Sequence, residues 1–148
     1  MLTAKALVPS FGFGADLLEH RMFDHVEYSV GDFSAAHRFY VPIFEAIGAH
    51  VAFLDEELGE LGVENEGIVQ FLITKGAPTQ PKIHICFRAP DKEAVQKAYD
   101  GAIAGGGVCN GKPGYRDHYA PGYYAAFVFD PDGHNVEVLF RETAPGAS

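Results

Sequence analysis

The chain has 148 residues, of which 47% are hydrophobic, and its formal net charge is −9 with a pI near 5.1. This length can bury the core of one domain, and no apolar run approaches the roughly 20 residues that a membrane-spanning helix needs. The acidic balance offers no basic surface to nucleic acid or an anionic membrane, which leaves small molecules or proteins as partners. Two cysteines and no signal-peptide pattern indicate a cytoplasmic, reduced protein.

The domain is predicted to lie in the middle of the chain. Residues 1–21 stand outside the pattern that follows, and we expect an N-terminal extension there with a short helix over residues 15–21. Residues 22–141 are predicted to form a single domain, and residues 142–148 a tail.

An internal repeat divides this domain into two modules. His25 aligns with His84 at an offset of 84 − 25 = 59 residues. The same offset pairs four further positions: Asp32 with Asp91, Ala35 with Ala94, Tyr40 with Tyr99 and Gly48 with Gly107. A repeat of this kind indicates one supersecondary unit used twice. We therefore predict module one over about residues 22–75, a Pro- and Gly-containing linker over 76–81, and module two over 82–141.

Both modules have the same predicted order of elements. An apolar strand leads to an aspartate, Asp32 or Asp91, that suits the N-cap of an amphipathic helix. The first helix is expected to kink or restart at Pro42, and the second to end at the glycines 105–107. Three short strands follow each helix, predicted over 49–54, 61–64 and 67–74, and over 108–111, 123–130 and 135–141. Each half is therefore a βαβββ unit.

One carboxylate stands out in the last predicted strand. The turn Asp130-Pro131-Asp132-Gly133 precedes a strand in which Glu137 alternates with Val136 and Val138. An unpaired charge among buried strands costs several kcal/mol, so Glu137 should face water or meet a cation. His25 and His84 also lie opposite the apolar set of their strands. The three ionisable side chains are therefore predicted to face the same, concave side.

These features resemble the vicinal oxygen chelate superfamily, which includes glyoxalase I, extradiol dioxygenases, fosfomycin-resistance enzymes and bleomycin-resistance proteins. The resemblance covers residues 23–140 and rests on the repeated module, the histidine in each first strand, Phe39-Tyr40, and Asp-Pro-Asp-Gly before Val136-Glu137-Val138. It implies an α+β fold in which two tandem modules form a curved, partly closed mixed sheet around a metal cleft, with the helices outside. The scaffold hosts many chemistries, so the resemblance specifies the fold more than the reaction.

The resemblance also implies a metal site. Its ligands come from the first and last strands of each module, which gives His25, His84 and Glu137. Gln70 stands at the place equivalent to Glu137, where glyoxalase I commonly has Glu, and is either a fourth ligand or an orienting or water-bridged group. Such a set leaves open positions and suits one divalent ion, Fe, Mn, Ni or Zn, that would chelate two neighbouring substrate oxygens. Without a metal, His25 and His84 would be core histidines and Glu137 a solvent-facing carboxylate.

Three residues are candidates for catalysis. Glu27 shares a strand face with His25 and is either a base or an ordinary carboxylate at the rim of the cleft. His118 lies in a segment of mixed cationic and aromatic residues, 115–124, and is either an acid/base group or a turn residue. Tyr123 either reaches the cleft or packs against neighbouring side chains. We expect Tyr124 to pack.

Other polar residues receive structural predictions. Cys86 is expected to be a small buried residue on the face of His84, and His134 a surface residue of the turn.

The predicted function is a divalent-metal-dependent glyoxalase- or dioxygenase-like enzyme acting on a small oxygenated substrate. The alternatives are a metal-free small-molecule binding protein of the bleomycin-resistance type and a non-catalytic interaction module. A homodimer is implied by the resemblance. Glutathione or another thiol as co-substrate stays open, because its carboxylates need cations and few lie near the proposed cleft: Lys75, Lys82, Arg88, Lys112 and Arg116.

Overall fold

The computed structural model of the protein describes residues 22–142. The predicted extension over 1–21, its helix, and residues 143–148 of the predicted tail lie outside the described residues. The elements in chain order are β1 (Val26–Val30), α1 (Phe33–Ala46), β2 (His50–Asp55), β3 (Glu60–Asn65), β4 (Ile68–Lys75), β5 (His84–Arg88), α2 (Lys92–Ala104), β6 (Val108–Tyr115), β7 (Tyr123–Phe129) and β8 (Asn135–Arg141). The predicted α+β class and the two tandem βαβββ modules are confirmed.

Each module forms its own four-stranded mixed sheet. The strand orders are β1-β4-β3-β2 and β5-β8-β7-β6. The first strand of each module runs parallel to the last, because a helix intervenes after the first strand, whereas the remaining pairs are antiparallel. This order makes β5 and β8, which carry His84 and Glu137, direct neighbours.

The helices begin at the predicted caps. Asp32 accepts a hydrogen bond from the backbone of Ala35 at 2.9 Å, and Asp91 accepts one from Ala94 at 2.7 Å. α1 continues through Pro42, so the helix does not restart there. Gly101 of α2 leaves room for this proline, since a Cβ there would lie 2.6 Å from the Pro42 Cβ.

The two modules share one hydrophobic core. The rings of Phe44 and Phe87 are 5.0 Å apart, and those of Phe71 and Phe87 are 5.3 Å apart, so side chains of both sheets meet beside α1. On β5 the residues Ile85 and Phe87 turn toward this core. The alternate residues of β5 stay on the outer face, as the predicted alternation requires.

Strand β6 is longer than predicted. It continues through Pro113 to Tyr115. Its pairing with β7 has two register shifts, one between Cys109 and Gly111 and one between Gly111 and Gly114. Because β6 is the edge of its sheet, Pro113 need not contribute an N–H to a central ladder.

His134 is fully buried, so the predicted surface location is wrong. Its Nδ1 accepts a hydrogen bond from the backbone of Ile83 at 3.1 Å, and its backbone N–H donates to Asp130 at 2.7 Å. Asp130 also accepts from the Tyr40 hydroxyl at 2.7 Å, and this hydroxyl is hydrogen-bonded to that of Tyr28. The turn is thus held inward, against module one.

Cys86 as a whole residue is exposed, which corrects the prediction of a buried residue, but its sulfur lies against the buried carboxylate of Glu137. It lies on the outer face of β5, at the edge of its sheet. Within residues 22–142 no helix is long and apolar enough to cross a membrane.

Candidate active site

A histidine and a glutamate on neighbouring strands form the centre of the site. The Nε2 atom of His84 lies 2.9 Å from Oε2 of Glu137. The parallel register of β5 and β8 causes this proximity, because it pairs Cys86 with Glu137 and so leaves His84 one pleat away on the same face. Glu137 is 3% exposed, whereas the His84 side chain is 48% exposed. The pair forms the floor of an open cleft.

The second oxygen of this carboxylate is bound by a tyrosine. The Tyr123 hydroxyl donates a hydrogen bond to Oε1 of Glu137 at 2.5 Å. Desolvation, followed by this hydrogen bond, raises the pKa of Tyr123 well above its usual range, so the hydroxyl stays protonated even in alkaline solution. Desolvation and the charge of Glu137 raise the pKa of the neighbouring Cys86 thiol to about 12. Both oxygens of Glu137 thus have partners within one chain.

Two asparagine side chains form a hydrogen-bonded chain on the other side of the His84 imidazole. Asn135 Nδ2 lies 2.7 Å from His84 Nδ1, and Asn135 Oδ1 accepts from Asn110 Nδ2 at 3.1 Å. In this amide orientation Asn135 donates to Nδ1, which places the ring proton on Nε2. His84 therefore donates to Glu137.

Aromatic rings make the walls of the cleft. A cavity of about 370 Å³ is lined by His84, Tyr119, Tyr123, Phe127, Asn135 and Glu137. The Phe127 ring stacks on the His84 imidazole with centroids 6.1 Å apart, and Tyr119 meets Tyr123 edge to face at 5.3 Å. A few polar groups within an aromatic wall are typical of a small-molecule site. A larger cavity of about 560 Å³ lies at the start of α1, and none of the predicted site residues lines it.

One chain brings together only part of the predicted metal ligands. No group of three or more His, Cys, Asp or Glu side chains that could hold a metal occurs among residues 22–142. His25, 52% exposed in its side chain, contacts Asp24 at 2.7 Å. Gln70 lies on β4 of the other sheet, where its Nε2 donates to the Asn65 carbonyl at 3.3 Å.

The His84–Glu137 pair nevertheless fits a divalent ion. Imidazole nitrogen and carboxylate oxygen bind such ions at about 2.1 Å, so two ligands at a right angle lie about 3 Å apart. The observed 2.9 Å between His84 Nε2 and Glu137 Oε2 matches this spacing. Tyr123 and Asn135 hold the two groups from behind, although an Nε2 metal ligand needs an acceptor at Nδ1, so Asn135 would have to present its Oδ1 there.

The predicted catalytic residues have different positions. Tyr123 lines the cleft, whereas Glu27 is exposed on β1 of the other sheet. His118 is exposed and contacts the ring of Tyr119 at 4.2 Å, outside the cleft lining. Two lining residues were not predicted, Phe127 and Asn135, although both have sequence signals. Asn135 lies two residues before Glu137 on one strand, and Phe127 is the cross-strand partner of Glu137.

Comparisons with known proteins give a consistent family. The sequence profile of the Glyoxalase/Bleomycin resistance protein/Dioxygenase superfamily matches residues 22–138. A glyoxalase/bleomycin resistance protein from Albidiferax ferrireducens T118 is 26% identical, with a TM-score of 0.66 over 80% of this chain and 98% of that one. A glyoxalase/bleomycin resistance protein/dioxygenase family enzyme from Burkholderia phytofirmans PsJN is 20% identical, with a TM-score of 0.60 over 80% and 98% of the two chains. A structure called oxidase ChaP-H2 is 19% identical, with a TM-score of 0.58 over 86% and 99%. No curated protein sequence matches the chain.

Proposed function

Because the chain belongs to the Glyoxalase/Bleomycin resistance protein/Dioxygenase superfamily, we propose that it is a divalent-metal-dependent enzyme acting on a small oxygenated substrate. The observation that carries this proposal is the separation of 2.9 Å between His84 Nε2 and Glu137 Oε2 on the floor of an aromatic cleft. Two ligands at a right angle on one divalent ion have about this spacing. The proposed setting is the cytoplasm.

The remaining ligands would come from a second copy of the chain. His84 and Glu137 supply two groups, and His25, with Gln70 as a fourth ligand or orienting group, would supply the others from the first sheet of the partner. Two observations support this arrangement: the described part of one chain has no three-residue cluster, and His25 stands half-exposed before β1. The active form would be a homodimer.

Each side chain of the cleft has a role in this proposal. A bound Fe, Mn, Ni or Zn ion would act as a Lewis acid toward two neighbouring substrate oxygens. Tyr123 fixes the orientation of Glu137 by donating a hydrogen bond to its Oε1. Asn135 fixes the plane of the His84 imidazole. Phe127 and Tyr119 provide apolar surface beside the substrate and reduce its contact with water.

Metal analysis tests the proposal. After purification without chelator, we expect a stoichiometric divalent ion in the parent protein and its loss in His84→Ala and Glu137→Gln. His118→Ala is the matched control, since it removes an imidazole outside the cleft lining and should retain the ion. An ion-free parent protein, or unchanged metal content in His84→Ala, would contradict the proposal.

The reaction type would be assigned by substrate panel. Adducts of 2-oxoaldehydes with glutathione or other thiols, catechols and fosfomycin cover the isomerase or lyase, ring-opening dioxygenase and resistance chemistries. Turnover that depends on His84 and on an added divalent ion would identify the class.

A metal-free small-molecule binding protein is the second candidate. It is favoured by the contacts of Glu137, whose two oxygens are bound by His84 and Tyr123 of the same chain. This alternative predicts ligand binding of equal affinity before and after chelator treatment, without product formation.

A further inference from the structure

We propose that the ligand of this cleft combines a carboxylate with a planar, unsaturated body, and that Arg116 and Arg141 recognise its charge. The inference deepens the proposed function and rests on it, because it assigns a ligand class to the same cleft. It begins from two guanidinium groups, each stacked on an aromatic ring that lines the cavity.

Arg141 stands beside the tyrosine that holds Glu137. Its guanidinium carbon lies 4.8 Å from the centre of the Tyr123 ring. Arg141 and Glu137 have the same strand parity on β8, and cross-strand pairing puts Tyr123 opposite Arg141. The positive charge of Arg141 acts to lower the pKa of both Cys86 and Tyr123, although burial and Glu137 raise each pKa by more. Arg141 therefore lies on the cleft side of the sheet.

Arg116 stands beside the other wall. Its guanidinium carbon lies 5.5 Å from the centre of the Phe127 ring. It donates hydrogen bonds to the carbonyls of Lys112 at 2.7 Å and Tyr115 at 3.3 Å. Two glycines make room for it, because a Cβ would lie 3.2 Å from its Nη2 at position 111 and 3.1 Å from its Nη1 at position 114. These contacts hold the guanidinium against β6 and leave some of its five N–H groups for a ligand.

Both cations lack an acidic partner in the part of the chain that the structure describes. Neither guanidinium lies within 4.0 Å of a carboxylate oxygen among residues 22–142. The protein has 20 acidic and 11 basic residues, so a shortage of acids does not explain this. In an acidic protein, two unpaired cations beside one cleft create a local field that attracts an anion.

The walls define the rest of the ligand. Tyr119, Tyr123 and Phe127 present ring surface around the His84–Glu137 floor. Rings pack against planar groups in offset or edge-to-face geometry, and a guanidinium can bind a carboxylate through two parallel hydrogen bonds. A small aryl carboxylate satisfies both features.

The test compares probes that differ in one property each. Binding of benzoate, benzamide and acetate is measured by calorimetry on the full chain after chelator treatment. Benzoate carries both the charge and the ring, benzamide lacks the charge, and acetate lacks the ring. We expect benzoate to bind about tenfold more tightly than either of the others, because a hydrogen-bonded charge is worth more than 1 kcal/mol.

Variants locate the recognition. Arg141→Gln and Arg116→Gln should each reduce the benzoate preference over benzamide several-fold, and Arg141→Lys should retain part of it. Lys97→Gln is the matched control, since it removes one positive charge from the exposed surface of α2 and should change nothing. Equal binding of benzoate and benzamide, or an equal effect of Lys97→Gln, would overturn the assignment.

Metal content, measured separately, keeps the two proposals distinguishable. A metal-loaded protein without preference for benzoate overturns the ligand class and leaves the enzyme proposal standing. A protein that binds no ion but prefers benzoate supports the ligand class and overturns the enzyme proposal.

Discussion

Asn135 Nδ2 lies 2.7 Å from His84 Nδ1, and this amide orientation places the proton of the imidazole on Nε2, the atom that faces Glu137. A neutral histidine that binds a metal through Nε2 must instead carry its proton on Nδ1. Metal binding at His84 therefore requires the Asn135 amide to turn over and give up the hydrogen bond from Asn110.

This relationship predicts the effect of Asn135→Asp. A carboxylate accepts a hydrogen bond from the Nδ1–H form, so the variant should bind a divalent ion about tenfold more tightly. Long-range proton–nitrogen NMR should show His84 protonated on Nε2 in the metal-free parent and on Nδ1 in the metal-free variant. Asn135→Leu is the control of similar size; it offers no acceptor to Nδ1–H, so it should lack the gain in affinity of Asn135→Asp. An Nδ1–H tautomer in the metal-free parent would refute this prediction.

The two cysteines should differ in reactivity. Hydrogen bonding by Tyr99 lowers the pKa of the Cys109 thiol, whereas desolvation raises that of Cys86 to about 12. Only the thiolate reacts, so labelling of Cys109 by iodoacetamide should begin at lower pH than labelling of Cys86, which needs strongly alkaline solution. Mass spectrometry of the labelled peptides between neutral and alkaline pH measures both rates. Faster labelling of Cys86 at neutral pH would show that its sulfur is not desolvated.

Tyr40→Phe should destabilise the fold. The buried Asp130 would lose the hydrogen bond from this hydroxyl, and the Tyr28 hydroxyl would lose its partner. Leaving buried polar groups unsatisfied costs about 1–3 kcal/mol each, so the free energy of unfolding should fall by at least about 1 kcal/mol. Urea denaturation measures the change. Tyr119→Phe, at a ring 59% exposed, serves as the control and should be near neutral; an equal effect of both variants would argue against the buried network.

Gly105→Ala tests the packing of the two helices. A Cβ at this position would lie 2.2 Å from the Arg38 carbonyl oxygen of α1, and the φ of −77° is one that alanine can adopt. Any loss is therefore steric, and overpacking typically costs about 1–3 kcal/mol or more. Gly76→Ala, where the nearest atom is an ordinary 3.4 Å away, should leave the melting temperature nearly unchanged. A Gly105→Ala protein that melts like its parent would mean that α1 and α2 separate easily.

The local features of the site follow from the sequence. The repeat relates His25 to His84, and strand alternation places His84 and Glu137 on one face, which the 2.9 Å contact confirms. The same alternation would have identified Asn135, since it precedes Glu137 by two residues on β8.

Features that depend on packing between elements did not follow from the sequence. His134 has the local signature of an exposed turn, but the turn is drawn inward because Asp130 binds Tyr40 of the other module. Periodicity within a strand likewise gives no information on how two sheets face each other. For this reason the sequence grouped His25 with His84 and Glu137, although no such cluster forms within the described part of one chain.

The most direct measurement is the metal content of a mixed dimer of His25→Ala and His84→Ala chains, isolated through two different tags. If the site combines His84 and Glu137 of one copy with His25 of the other, one of the two sites in this dimer is intact. We then predict about one divalent ion per mixed dimer and none in either variant homodimer. An ion-free mixed dimer, beside a metal-loaded parent, would contradict the shared site.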